Sequence, residues 1–212
     1  MRLVTALRTG LVAFSATTAI LTVALGAGPA AAITTWTVTP GGLFTGHAGT
    51  TKLEDTTDGN SLNCTGSDLS GRFKSGTGLS GTDIGSITGG GKFSSCLGPN
   101  PLAYTITLRG LPWHVSVTAD HNGVVRGTVS HIEITATLPA CHFAIDGTAA
   151  GAFDGIVQFS YSNSTHTLKL LPTGTNLHYY KVSGCAGLVH SADSAAYLAS
   201  YTVSPGQAIT GP

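Results

Sequence analysis

The chain has 212 residues, of which 42% are hydrophobic and only 9% are charged, and its formal net charge is +0. Globular domains have about 25% charged residues, so the hydration of this surface depends on Thr, Ser, Asn and backbone groups. The part after residue 32 has eight basic and ten acidic side chains, which excludes the basic face that binds nucleic acid.

The first predicted element is an export signal over residues 1–32. Arginines precede a mostly apolar run over residues 11–25, and three alanines end at Ala32. This order is typical of a secretory signal that is cleaved, here after Ala32. A retained membrane anchor is the alternative, but the run is shorter than the roughly 20 apolar residues that span a bilayer. We therefore predict a secreted protein with a single domain over residues 33–212 and no integral membrane segment after cleavage.

Four cysteines, an even number, follow the predicted cleavage site. In an oxidising compartment they predict two disulfides, for which three pairings exist. We favour Cys64 with Cys96 and Cys141 with Cys185, because each bridge then encloses one continuous block of strand pattern. A zinc site needs closely spaced ligands, whereas these cysteines are far apart and only Cys141 has an adjacent histidine, His142. We expect no metal and no other cofactor.

The body of the chain alternates between apolar and polar residues. The alternation is clear over residues 104–109, 131–138 and 157–161, and it predicts strands with one buried and one hydrated face. Gly-rich or turn-forming stretches separate these runs and predict hairpins. Only residues 186–200 allow a helix, of at most one short turn before a last strand. The predicted fold is all-β, a single antiparallel β-sandwich or barrel domain with short hairpins.

Two similar segments lie near the ends of the predicted domain. Residues 36–41 are WTVTPG and residues 201–206 are YTVSPG. Each is predicted to be a strand that ends at Pro-Gly, because proline cannot donate a ladder hydrogen bond. Chain termini of a domain often lie close together, so we predict that the two segments are edge or neighbouring strands that close the domain.

These two segments belong to a wider resemblance. Together with residues 82–88 (TDIGSIT), 110–113 (GLPW) and 182–188 (VSGCAGL), they resemble a group of small, uncharacterised secreted proteins of actinobacteria, of the streptomycete type. The likeness covers nearly all of the chain after the predicted signal. It implies an exported protein in a Gram-positive setting and assigns no catalytic residue.

Candidate catalytic residues are few. His131 and Glu133 partly match the zinc deaminase signature H-x-E with a later P-C-x-x-C, but the second cysteine is missing. In the strand pattern these two residues share the hydrated face. Asp146 and Asp154 are a candidate glycosidase pair, although each precedes a glycine in a predicted turn, where aspartate is common. No G-x-S-x-G or H-E-x-x-H motif occurs, and we assign no catalytic residue.

The stronger candidates for a binding surface are aromatic. Trp113 and His114 follow a proline at a predicted strand start, and another predicted strand contains His178, Tyr179 and Tyr180. Aromatic faces beside polar groups stack on sugars or contact protein partners, so these five residues form the candidate binding site. The alternative is packing. Adjacent tyrosines of a strand point to opposite faces, so in that case one tyrosine and Trp113 belong to the core.

Three functions remain as hypotheses. The first is a secreted, non-enzymatic binding or structural module, extracellular or loosely associated with the cell wall, with cell-wall glycan or an extracellular protein as its partner. The second is an extracellular hydrolase whose catalytic residues are distant in sequence, with histidine in hydrogen-bond reach of aspartate or serine. The third, a membrane-active β protein, has the least support because the predicted strands are shorter than the about ten residues required. We favour the first.

Overall fold

Antiparallel β-strands build the computed structural model, which describes residues 35–99 and 102–212. The predicted export signal lies outside the described residues. No helix occurs within these two ranges, and the all-β class is confirmed. The strands are β1 (Trp36–Thr39), β2 (Gly42–Ala48), β3 (Thr51–Asp55), β4 (Ser61–Cys64), β5 (Gly66–Phe73), β6 (Gly76–Leu79), β7 (Gly85–Ser94), β8 (Cys96–Leu97), β9 (Ala103–Arg109), β10 (Trp113–His121), β11 (Val124–Thr137), β12 (His142–Asp146), β13 (Gly155–Ser162), β14 (Thr167–Leu170), β15 (His178–Ser183), β16 (Ala195–Ser204) and β17 (Ala208–Thr210).

Eight strands close a first ring of hydrogen-bonded neighbours. Their order is β2, β5, β7, β10, β11, β13, β14, β16 and back to β2. Alternate residues of these strands are buried, among them Phe44, Val115, Phe159 and Tyr201. A closed ring leaves no free strand edge, which is how a barrel protects its backbone groups. Of the two predicted architectures, the pairings therefore fit the barrel.

A second ring uses the remaining parts of β11 and β16. Its order is β3, β4, β8, β9, β11, β12, β15 and β16, and β16 returns to β3. Two seams of this ring are narrow. β4 and β8 share one residue pair, Asn63 with Leu97. β15 meets the start of β16 through a bridge between His178 and Ser194. The two rings thus share two strands, and the second ring depends on a few contacts for its closure.

β11 passes from one ring to the other at a β-bulge. Its first half pairs with β10 and β13, and its second half pairs with β9 and β12. At His131 the backbone has a φ of 66° and the pairing with β13 shifts register. The extra residue moves the buried positions from Val129 to Ile132 and Ile134. The predicted inward face is confirmed for both isoleucines, but Glu133 is also buried, so its assignment to the hydrated face is wrong.

A separate three-stranded sheet joins the two ends of the described chain. β1 is its central strand, between β17 and β6. Fully buried Gln207 adds a further link, since its side-chain oxygen accepts a hydrogen bond from the Gly41 N–H at 2.9 Å. The termini therefore meet as predicted. The roles of the repeated segments differ from the prediction, because β1 is not an edge strand and β16 pairs with β14 and β2 instead of β1.

Both disulfides tie parts of the second ring. Cys64 bonds to Cys96 and links β4 to β8, and Cys141 bonds to Cys185 and links the segments that flank β12 and β15. These are the pairs favoured from the sequence. The first bridge lies at the narrow seam between β4 and β8, where one residue pair forms, whereas the second joins the ends of two strands that pair at four positions.

The segment before β16 forms turns and no helix. Residues 186–194 form turns and short irregular stretches, and β16 begins at Ala195, so the short helical turn allowed there is absent. Residues 35–99 and 102–212 include no helix of membrane-spanning length and hydropathy.

Candidate functional site

Asp146 organises the loop between β12 and β13, residues 147–154. Its Oδ1 accepts backbone hydrogen bonds from Gly147 at 2.7 Å and Asp154 at 3.2 Å. Its Oδ2 accepts from Gly151 at 3.0 Å and Phe153 at 3.1 Å. The side chain is fully buried, so four N–H groups replace the water that the carboxyl group has lost. The aspartate at this turn thus has a structural role in shaping the loop.

Glu133 lies beside Asp146 under the same loop. Its Oε2 accepts a hydrogen bond from the Gly151 N–H at 3.0 Å. Burial raises the pKa of Glu133, and the neighbouring carboxyl group of Asp146 raises it further, while Gly151 and Lys181 act in the opposite direction. Sequence periodicity missed this burial because the covering loop comes from a distant part of the chain.

Asp154 closes the loop from its exposed side. Its Oδ1 accepts from the Thr148 N–H at 2.8 Å and its Oδ2 from the Thr148 hydroxyl at 2.6 Å. These bonds lower the pKa of Asp154, so the side chain presents a negative charge at the surface. The candidate glycosidase pair therefore divides into a buried carboxyl group that holds the loop and an exposed one that caps it.

His178 and Tyr180 of β15 meet the loop at one acceptor. The Tyr180 hydroxyl donates to the Gly147 carbonyl oxygen at 2.9 Å, and His178 Nδ1 lies 3.4 Å from the same oxygen and 2.8 Å from that of Asn176. Their ring centroids are 6.5 Å apart. Desolvation and the charges of Asp146 and Asp154 raise the pKa of Tyr180, so its hydroxyl remains a donor at neutral pH. Both side chains are half-buried and keep a surface toward solvent.

The same loop carries an exposed phenylalanine, Phe153, whose ring lies beside Gly110. Phe153 is 39% exposed and has a φ of 53°, in the left-handed region that a bulky residue rarely adopts. Its ring occupies the space beside Gly110, where an added Cβ would collide with Phe153 Cδ1. Phe153, Asp154, His178 and Tyr180 are called the loop face below.

The other three predicted binding residues lie elsewhere. Trp113 is 1% exposed, and its Nε1 donates to the Arg109 carbonyl oxygen at 2.8 Å. Tyr179 is buried too, so the packing alternative describes these two residues. His114 is partly exposed on β10, where its Nδ1 lies 3.0 Å from Asp83 Oδ1 and its ring lies 4.4 Å from that of His131. The five residues therefore do not form one site.

An apolar depression opens above Tyr179, between Tyr104, Phe143 and Leu188. Its internal volume is about 20 Å³. A small-molecule site has a volume of several hundred Å³, so this depression has room for little more than water. This depression is therefore not a sugar-sized site, and the loop face, which is a surface and not a cavity, is the candidate that we develop for binding.

A second polar cluster joins the turn after β3 to the segment before β16. Asp58, His190 and Asp193 each offer a ligand atom, and these atoms lie within 4.8 Å of one another. They are the described residues that could hold a metal ion. Sequence analysis missed them because 132 positions separate Asp58 from His190 and no spacing motif connects them.

No family model, no curated protein and no solved structure matches this chain.

Proposed function

We propose that this protein is a secreted, non-enzymatic module that binds glycan of the cell envelope through the loop face. The observation that carries the proposal is the fixed placement of Tyr180 and His178 on the Gly147 carbonyl oxygen, in a loop that also carries the exposed aromatic residue Phe153. Two disulfides and a weakly charged chain support an extracellular location.

The chemistry of the loop face suits a sugar. Aromatic rings pack against the apolar faces of pyranose rings, and Tyr180 and Phe153 offer such rings at the surface. The partly exposed Asp154 carboxylate accepts two hydrogen bonds from Thr148 and retains further lone pairs that can accept from sugar hydroxyl groups. Since the left-handed backbone at Phe153 has a conformational cost, the exposed position of its ring is consistent with a selected binding role.

The occupied carboxyl groups favour binding over catalysis. Both oxygens of Asp146 already accept backbone hydrogen bonds, and Asp154 is held by Thr148. A general acid or base must reach the proton it transfers, and Asp146 is fully buried beneath its loop.

One observation keeps the hydrolase alternative as a second candidate. Glu133 has a raised pKa and lies beside another carboxyl group, which is how glycosidases prepare a general acid, but it is buried under the same loop as Asp146, so catalysis would require that loop to open. In that case the purified protein releases reducing sugar from cell-wall material, and Glu133→Gln abolishes the release. Binding without release favours the proposed function over this one.

The test is co-sedimentation of the purified, oxidised protein with isolated Gram-positive cell walls. We expect saturable pelleting, and we expect Tyr180→Ala and Phe153→Ala each to weaken it by about ten-fold, since each removes a stacking surface. Leu43→Ala is the matched control because Leu43 is 67% exposed on β2, in the first ring, away from β15. Circular dichroism establishes that every variant is folded. Absence of pelleting, or equal pelleting of all variants, contradicts the proposal.

A further inference from the structure

Two carboxyl groups and an imidazole converge where the second ring closes. His190 Nδ1 lies 3.1 Å from Asp58 Oδ2 and 3.3 Å from Asp193 Oδ2. Asp55, the last residue of β3, is an electrostatic neighbour of Asp193. The cluster comes from two segments that are far apart in sequence, the turn after β3 and the segment before β16.

Asp55 has an oxygen without a partner. The residue is fully buried, and its Oδ1 accepts backbone hydrogen bonds from Thr57 at 2.8 Å and Asp58 at 3.1 Å. Its Oδ2 is buried and, among the described residues, has no hydrogen-bond partner. Buried polar atoms are nearly always satisfied, so this carboxyl oxygen indicates a partner that the described residues do not supply.

Protein side chains do not supply that positive charge. In the part of the chain that the structure describes, the ion pairs of Asp58 and Asp193 are with His190 alone. Lys52, the basic residue of β3 itself, pairs with Glu54 instead, at 3.0 Å. A neutral imidazole would leave the carboxyl groups of the cluster without any cation, and even a protonated one offers a single charge.

We propose that Asp58, His190 and Asp193 bind a divalent cation of the zinc or manganese type, with Asp55 on the buried side of the ion. Carboxylate oxygens with one imidazole nitrogen form a ligand set that suits ions of the zinc or manganese type better than it suits cations that take oxygen ligands only. Two ligand atoms about 2.1 Å from a tetrahedral ion are about 3.4 Å apart. The 3.1 and 3.3 Å separations around His190 Nδ1 are close to this value.

The backbone already holds the two segments at ligating distance. The Thr56 N–H donates to the Ser194 carbonyl oxygen at 2.9 Å, and the Ser194 N–H donates to the Thr57 hydroxyl at 3.0 Å. The exposed sides of Asp58 and His190 give an ion access from solvent. The ion would therefore act as a clamp across the seam between β3, β15 and β16, independently of the proposed glycan binding.

The test measures metal content and stability together. The purified, oxidised protein is stripped with a chelator, dialysed separately against Zn²⁺, Mn²⁺ and Ca²⁺, and analysed by elemental mass spectrometry and isothermal titration calorimetry. We expect one Zn²⁺ or Mn²⁺ per chain and a thermal midpoint that rises with the concentration of that ion, because an ion that binds only the folded state stabilises it. We expect Asp58→Asn, Asp193→Asn and His190→Ala to weaken binding by about ten-fold or more.

The control variant is His47→Ala. His47 and Asp68 form an exposed pair at 2.7 Å, so the variant removes a surface imidazole beside a carboxylate outside the cluster. It is expected to bind the ion as the unaltered protein does. Asp58 is partly exposed, so Asp58→Asn keeps the test valid if substitution of the more buried Asp193 prevents folding.

Three results overturn the proposal. The first is no uptake of Zn²⁺ or Mn²⁺ by the stripped protein. The second is uptake that persists in the cluster variants, which would place the ion on others of the eight histidines. The third is binding of Ca²⁺ alone that His190→Ala does not change, which would remove the imidazole from the ligand set.

Discussion

At the residue scale, the surroundings of Glu133 and Asp146 differ although both are buried carboxyl groups. Four backbone N–H groups donate to Asp146, whereas Glu133 only shares one of these four, that of Gly151. Desolvation without enough donors favours the neutral form, which explains the raised pKa of Glu133. One loop thus gives two neighbouring carboxyl groups different chemistry.

This difference predicts a change in the pH dependence of stability for Glu133→Gln. In the unfolded chain Glu133 ionises near its ordinary pKa, but in the folded protein it retains its proton to higher pH. Above the ordinary pKa the unfolded state therefore binds fewer protons than the folded state does. The free energy of unfolding falls as the pH rises from there through the folded-state pKa. The amide that replaces the carboxyl group does not titrate, so the variant gains stability relative to the unaltered protein as pH rises.

Urea denaturation at pH values below and above this window measures the effect. At the higher pH, the free energy of unfolding of the variant is expected to rise relative to that of the unaltered protein. Asp146 and Lys181 are the charged neighbours and remain in both proteins. A difference that does not vary with pH contradicts the predicted ionisation of Glu133.

At the scale of elements, a hydrogen-bonded row of buried hydroxyl groups lies where β16 passes between the rings. Ser67 Oγ lies 2.5 Å from Thr51 Oγ1 and 2.8 Å from the Tyr201 hydroxyl, which is also hydrogen-bonded to the Tyr197 hydroxyl. Burial raises the pKa of both tyrosines. This row of hydroxyl groups connects β3, β5 and β16. It therefore links strands of both rings through buried groups that cannot form hydrogen bonds with water.

Tyr201→Phe is expected to destabilise the protein by about 1–3 kcal/mol. The change removes the central hydroxyl and leaves the buried hydroxyls of Ser67 and Tyr197 with one partner fewer. Tyr104→Phe, at a partly exposed position of β9, is the control and is expected to cost less than about 0.5 kcal/mol. Chemical denaturation of both variants provides the comparison. If Tyr201→Phe is as stable as Tyr104→Phe, the row of buried hydroxyl groups contributes nothing to the free energy of unfolding.

At the scale of the whole molecule, two closed rings share β11 and β16 but differ in how they close. The neighbours of the first ring pair over three or more residues, whereas β4 and β8 of the second ring share one pair. The disulfide between Cys64 and Cys96 lies at this seam. In the second ring, the disulfide thus adds a covalent link at the seam where few strand hydrogen bonds form.

Replacing Cys64 and Cys96 together by serine is therefore expected to loosen the second ring more than the first. The bridge spans 32 residues, and its loss is expected to cost about 3–4 kcal/mol by releasing the unfolded chain. Hydrogen exchange followed by mass spectrometry should show faster exchange in β3, β4 and β8, with β5 and β7 little changed at native conditions. Uniform acceleration across both rings would contradict a local role for the bridge.

The sequence by itself determined the all-β class and the inward positions of the alternating strands, because period-two burial is a local property, and it favoured one of three disulfide pairings without deciding between them. Only the tertiary structure decided that the strands close two rings, that Glu133 is buried and that Trp113 packs in the core. It also brought Asp58 to His190 and placed Tyr180 over the loop of Asp146. Those juxtapositions depend on strand order and on loops that cover distant residues, and one-dimensional periodicity contains neither.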